Sequence, residues 1–178
     1  MKDITVKEFQ ELKDKFVYDA LLSSLKPNNL FCDKTLDVNT ITYLEVKNIF
    51  KIIKNGKIFD DIFSMFAIAF KVEKYEFDNA PITSYYQAKN YLIKFCKDTL
   101  AREQKLMKSI SNPLWESAGG ANLNPFSDLI GLVQIGEIYS IYPYDLQHKP
   151  YNEILTLLVL HKRKTEIENK YSELKNKK

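Results

Sequence analysis

Apolar residues recur at steps of three and four along most of the chain, and this spacing predicts a series of helices. Thr5 followed by Glu8 is a capping-box pair, and Phe9, Leu12, Phe16, Ala20 and Leu21 continue from it at helical spacing. A first helix is therefore predicted over 6–24, ended by Lys26-Pro27-Asn28-Asn29. After an irregular segment holding Leu30, Phe31 and Leu36, a second helix is predicted from near Asp37–Thr40 to Lys54. Ile41, Leu44, Ile49, Ile52 and Ile53 carry it, and Asn55-Gly56 is its stop signal. Residues 58–70 are apolar on nearly every side, the pattern of a helix at the centre of a core.

The longest periodic stretch opens at Pro81 and runs to about Ile110, with Tyr85, Ala88, Leu92, Cys96, Leu100, Met107 and Ile110 as its stripe. Asn112-Pro113 then reads as the cap and first position of a one-turn helix that Gly119 stops in the left-handed conformation. A flexible step to Asn124-Pro125 precedes a helix over 126–138. The turn-rich connector Tyr142-Pro143-Tyr144-Asp145-Leu146-Gln147-His148-Lys149-Pro150 leads into a last helix from Tyr151 to about Lys175. Only Lys71 to Phe77 alternates apolar and charged residues in the manner of a strand. The expected fold is mainly α: a single-domain multi-helix bundle of about six helices, with at most a minor β element near 71–77. Its organisation reads as a helical body over 1–150 and a projecting C-terminal amphipathic helix over 151–178.

That last helix holds the most informative surface pattern. Leu157, Leu160, Lys164, Ile167, Tyr171 and Leu174 are spaced 3, 4, 3, 4, 3, which is a heptad seam with one Lys inside it. The seam reads either as a subunit or partner contact, with Tyr151 at the helix start as a further candidate, or as an ordinary C-terminal helix that frays past Lys164. Trp115, the only Trp, is the candidate anchor of a second contact.

Composition adds two refinements. The 11 Tyr and 11 Phe supply ample core material, but so many Tyr hydroxyls cannot all be buried with partners, so some must lie at the surface. The net charge of +3 is unevenly placed: His161 to Lys178 hold seven Lys or Arg and three Glu, while the remaining 160 residues carry 19 basic and 20 acidic side chains. Only Arg102 and Arg163 are Arg, whereas phosphate and base recognition draws on Arg forks. Nucleic acid thus remains an alternative partner only through the Lys-rich C-terminus. The opening residues lack the apolar core of a signal peptide, and no apolar run is long enough to span a bilayer, so an intracellular protein without membrane association is expected.

Chemistry finds little support. With five Gly, the chain contains no Gly-x4-Gly-Lys-Ser/Thr, no Gly-x-Gly-x-x-Gly and no Gly-x-Ser-x-Gly. His148 and His161 lie thirteen residues apart without a carboxylate or Cys cluster, and Cys32 and Cys96 have no metal-ligand spacing. No catalytic residue, cofactor or metal is therefore nominated.

The C-terminal third holds Trp115-x-x-Ala118-Gly119, the short helix Phe126-Ser127-Asp128-Leu129-Ile130-Gly131-Leu132-Val133-Gln134-Ile135-Gly136, and Pro150-Tyr151 opening a Leu-rich charged helix. With the Ile4-Thr5-Val6-Lys7-Glu8-Phe9-Gln10-Glu11-Leu12 opening, this order resembles small helical proteins of tailed bacteriophages, of the head-tail connector, ring or tail-assembly type. The resemblance implies a non-catalytic virion component, assembled in the host cytoplasm, that packs as a homo-oligomer against copies of itself and neighbouring virion proteins. An assembly chaperone absent from the finished particle is the alternative, as is a nucleic-acid-binding accessory protein.

Overall fold

The computed structural model describes residues 3–55, 59–108 and 116–176. Over these residues the chain is mainly helical, with α1 (Val6–Glu11), α2 (Lys15–Ser23), α3 (Tyr43–Asn55), α4 (Phe59–Phe70), α5 (Lys74–Asn79) and α6 (Ile82–Met107). A 3-10 helix (Gly120–Phe126) follows, then α7 (Ser127–Tyr139), α8 (Pro143–Leu146) and α9 (Tyr151–Asn176). The chain packs as two units. The first comprises residues up to Ile41 together with Glu45–Leu100; the second comprises Thr42–Leu44 together with the chain from Ala101 onward.

In the first unit the Thr5 side chain accepts from the Glu8 amide, and the Glu8 carboxylate accepts from the Thr5 amide, which completes the capping box of α1. The single first helix expected from the sequence is two. Leu12 adopts an extended conformation, φ −67° and ψ 134°, and ends α1 before Lys13 and Asp14 lead into α2. The strand candidate at 71–77 is corrected to helix. Lys71 lies in the left-handed region at φ 54°, and Glu73 caps α5, accepting from the Glu76 amide while the Glu76 carboxylate accepts from its own. A capping box and a three-residue amphipathic spacing fit the same residues as two-residue alternation, and the cap decides.

The core of the first unit is aromatic. Phe31, Phe66, Phe70, Phe77 and Tyr85 are all buried, with Phe31 and Phe66 centroids 4.7 Å apart and the Phe66 and Tyr85 rings stacked at 5.3 Å. Phe31 is delivered by a tight turn in which it and Lys34 exchange both backbone hydrogen bonds around Cys32 (φ 49°) and Asp33 (φ 58°). Two left-handed residues in sequence are the geometry of a type I′ turn, made here without glycine. The Lys34 ammonium donates to the Glu76 carboxylate at 2.7 Å and so ties the turn to α5; that bond holds the Glu76 carboxyl below its ordinary pKa. The N-terminal segment is stitched in by Val6 N–H to Ala80 O and Ile82 N–H to Ile4 O, each 2.9 Å.

The second unit is built around α7 and the first half of α9. Leu132, Ile135, Leu146 and Ile154 are fully buried. Ser140, left-handed at φ 55°, caps α7, and the step expected at 119–125 is ordered as the 3-10 helix, entered through Gly119 at φ 87°. Gly119 thus takes the left-handed stop that the sequence indicates. Thr42–Leu44 join this unit: Tyr43 N–H donates to Lys149 O and Leu44 N–H to Gln147 O, both 2.9 Å.

Candidate protein interface

α9 starts where Pro150 fixes the chain direction, and its first turns pack one stripe into the second unit. Tyr151, Ile154, Leu155 and Leu158 are buried. Tyr151 stacks on Tyr43 with centroids 6.0 Å apart and donates its hydroxyl to Glu103 at 3.0 Å. Burial first, and Glu103 second, push that hydroxyl well above the usual tyrosine pKa. Tyr151 is therefore a packing residue of the second unit rather than a free contact residue, contrary to its place among the sequence candidates.

The remaining candidates on α9 separate from it. Leu157 is half-buried, whereas Leu160, Ile167, Tyr171 and Leu174 are 57–69% exposed. At about 100° per residue, these four point about 180° away from the buried stripe. The helix therefore carries two apolar faces. One is used over the first two turns; the other runs from Leu160 to Leu174 and packs on nothing described. Lys162 marks the changeover, its ammonium donating to Leu106 O and Lys108 O. Beyond it every residue from Arg163 to Asn176 is exposed. Lys164, in the middle of the exposed stripe, pairs with Glu168 at 3.8 Å along the helix, a contact of little energetic weight. Trp115, the other sequence candidate, lies outside the described residues.

Sequence reasoning missed a second exposed apolar surface, in the first unit. α2 has no buried residue, and Phe16, Val17 and Leu21 are 70–81% exposed. The helix is held by polar contacts instead: the Tyr86 hydroxyl donates to the Asp19 carboxylate, and the Asn90 amide to Ser23 O and Leu25 O. A groove of about 680 Å³ runs beside it, walled by Phe9, Leu12, Tyr18, Leu21, Leu22 and Ile82, with Asp3, Lys13 and Asp14 as its charged lining residues. Helical spacing alone gives Phe9, Leu12, Phe16 and Leu21 equal standing, and only Phe9 is buried. The surplus of Tyr divides as the composition requires: Tyr43, Tyr85, Tyr86 and Tyr151 are buried and Tyr91 is half-buried, while Tyr18, Tyr75, Tyr139, Tyr142, Tyr144 and Tyr171 are exposed.

The titratable groups suit packing. Burial pushes the Cys96 thiol up to about 12, which leaves it protonated and unreactive at neutral pH. Among the described residues, no group of three or more His, Cys, Asp or Glu is placed to hold a metal ion. Nor is any described helix long and apolar enough to cross a membrane. Comparison with known proteins returns no matching family model, no matching curated sequence and no matching solved structure.

Proposed function

We propose that this protein is a non-catalytic assembly component that works by protein–protein packing, with the exposed stripe of α9 as its contact. The observation that carries the reading is the exposed run Arg163–Asn176, which bears Ile167, Tyr171 and Leu174 on the side away from the buried stripe. A helix of this length gains most of its stability from packing an apolar face, and here half of it packs on none of the described residues. Contiguous exposed apolar surface of this kind marks partner sites in soluble proteins. The resemblance of the C-terminal third to small tailed-phage proteins gives the setting: the neck, ring or tail region of a virion.

Deletion of 164–178 tests the reading. The truncated protein should lose only the ellipticity of the deleted turns of α9 and keep its unfolding midpoint, because residues 164–176 are all exposed, and it should lose assembly in sedimentation or light scattering. A truncated chain that assembles as well as the full one overturns the contact. Mass spectrometry of purified particles tests the setting separately, since a virion component is present at fixed stoichiometry and a chaperone is not.

A further inference from the structure

We infer that the groove beside α2 receives the exposed stripe of α9 from a second copy of the chain, so that copies join head to tail. The inference rests on the contact proposed for α9 and names its partner.

Three observations bring the two surfaces together. The first is need. α2 spans nine residues and buries none of them, which is too short a helix to hold by local propensity alone. The exposed aromatic and aliphatic residues of α7 and α8 are different, because those helices are already anchored through Leu132, Ile135 and Leu146. The second is shape. Ile167, Tyr171 and Leu174 stand at i, i+4 and i+7, the spacing with which an amphipathic helix fills a groove. They span about 10 Å of helix, against about 13 Å for α2 at 1.5 Å per residue. The groove wall is correspondingly apolar at Phe9, Leu12, Tyr18, Leu21 and Leu22.

The third is charge. Residues 3–25 hold five acidic and three basic side chains, whereas 163–176 hold four basic and three acidic. Docking α9 on the groove sets a net positive segment against a net negative one, and the charged residues lining the groove, Asp3, Lys13 and Asp14, are themselves acidic on balance. Pairing α9 with its own copy in a parallel coiled coil is less suited. It stacks Lys164 on Lys164 in the seam and places Lys170 opposite Lys175, although Arg163 would face Glu168. An interface between two different patches of one chain is heterologous, and repeated copying of it gives a ring or a filament.

The test mixes two variants of the full chain. Ile167→Glu with Tyr171→Glu spoils the stripe; Leu21→Glu spoils the groove. All three residues are exposed, so both variants should retain wild-type circular dichroism and melting. The wild-type chain should form oligomers by light scattering at tens of micromolar. Each variant alone should associate at least about thirty-fold more weakly, the loss expected of an interface hot spot. An equimolar mixture should yield a two-chain complex, because one intact groove and one intact stripe remain. If Leu21→Glu associates like wild type while the stripe variant does not, the stripe pairs with something other than the groove: this inference falls and the α9 contact stands. A mixture that stays monomeric, or a wild-type chain that is itself monomeric, also overturns the head-to-tail arrangement. If the stripe variant associates normally, both this inference and the α9 contact fall.

Discussion

The hydroxyl of Tyr85 is buried at the centre of the aromatic core with no hydrogen-bond partner, the only such side-chain oxygen or nitrogen among the described residues. Burial, with the Asp19 carboxylate as a secondary cause, pushes its pKa well up and keeps it neutral. A buried hydroxyl left unpaired costs about 1–3 kcal/mol of desolvation, and its removal without a change of shape is close to neutral or stabilising. Tyr85→Phe should therefore raise stability by up to about 1 kcal/mol, read as a higher denaturant midpoint with an unchanged slope. The ring contacts with Phe66, Phe77 and Tyr86 persist in the variant. A clear loss of stability would mean that the hydroxyl has a partner, such as a bound water. At this scale the sequence is legible where a local rule links neighbours: the Thr5–Glu8 box and the left-handed Gly119 are both visible as short motifs. It is silent at Cys32-Asp33, because neither residue announces a positive φ. That turn is imposed by the burial of Phe31 and the grip of Lys34 on Glu76.

Elements follow the apolar period closely when their stripe is buried and loosely when it is not. The stripe that marks α6 is buried at Tyr85, Ala88, Leu92 and Cys96, where the helix boundaries follow it, and gives out towards the C-terminal end, where Leu100 is exposed and Met107 half-buried; Ile110 lies outside the described residues. The first predicted helix was marked by residues that mostly remain exposed, so nothing in the core enforces its continuity and it breaks at Leu12. The seam of α9 was legible as spacing, but its direction was not, since periodicity locates a stripe without saying which of two stripes the body covers. Close approaches between elements are likewise invisible until glycines are placed. A Cβ on Gly136 would lie 2.6 Å from the Ile141 carbonyl oxygen and 3.2 Å from Pro143 Cγ, where α7 turns into α8. A Cβ on Gly131 would meet only the Leu158 Cδ2 methyl closely, at 2.5 Å, and that side chain can rotate. Alanine favours a helix over glycine by about 1 kcal/mol, which offsets the strain at Gly131. Gly131→Ala should therefore be near neutral. Gly136→Ala must move backbone and should cost about 1–3 kcal/mol. Thermal unfolding of the two variants side by side checks this, and equal destabilisation would remove the distinction between side-chain and backbone obstruction.

At the scale of the whole molecule, the division into two packing units does not follow the order of the helices. Tyr43 and Leu44 begin α3, yet by packing they belong with 101–178, whereas the rest of α3 belongs with the first unit. No hydrophobic pattern reports this, because three residues are too few to show a period and Tyr43 sits in register with the helix that follows it. What assigns Tyr43 to the second unit is its partners. Its ring stacks on Tyr151, its hydroxyl donates to Asp128 O at 3.2 Å, and its amide donates to Lys149 O. Ile49, six residues on in the same helix, is fully buried in the first unit. Truncating a large buried side chain costs about 2–5 kcal/mol, and local opening should appear first where the lost contacts were. Tyr43→Ala should thus speed amide exchange in α7 and in the first half of α9, while leaving α4 and α5 near wild-type protection. Ile49→Ala should do the reverse. The measurement is native-state hydrogen exchange resolved by peptide on both variants. Two neighbouring substitutions on one helix that open opposite units would establish that each unit has a stability of its own. Exchange that rises evenly across α4, α5, α7 and α9 in both variants would instead make the chain a single cooperative block.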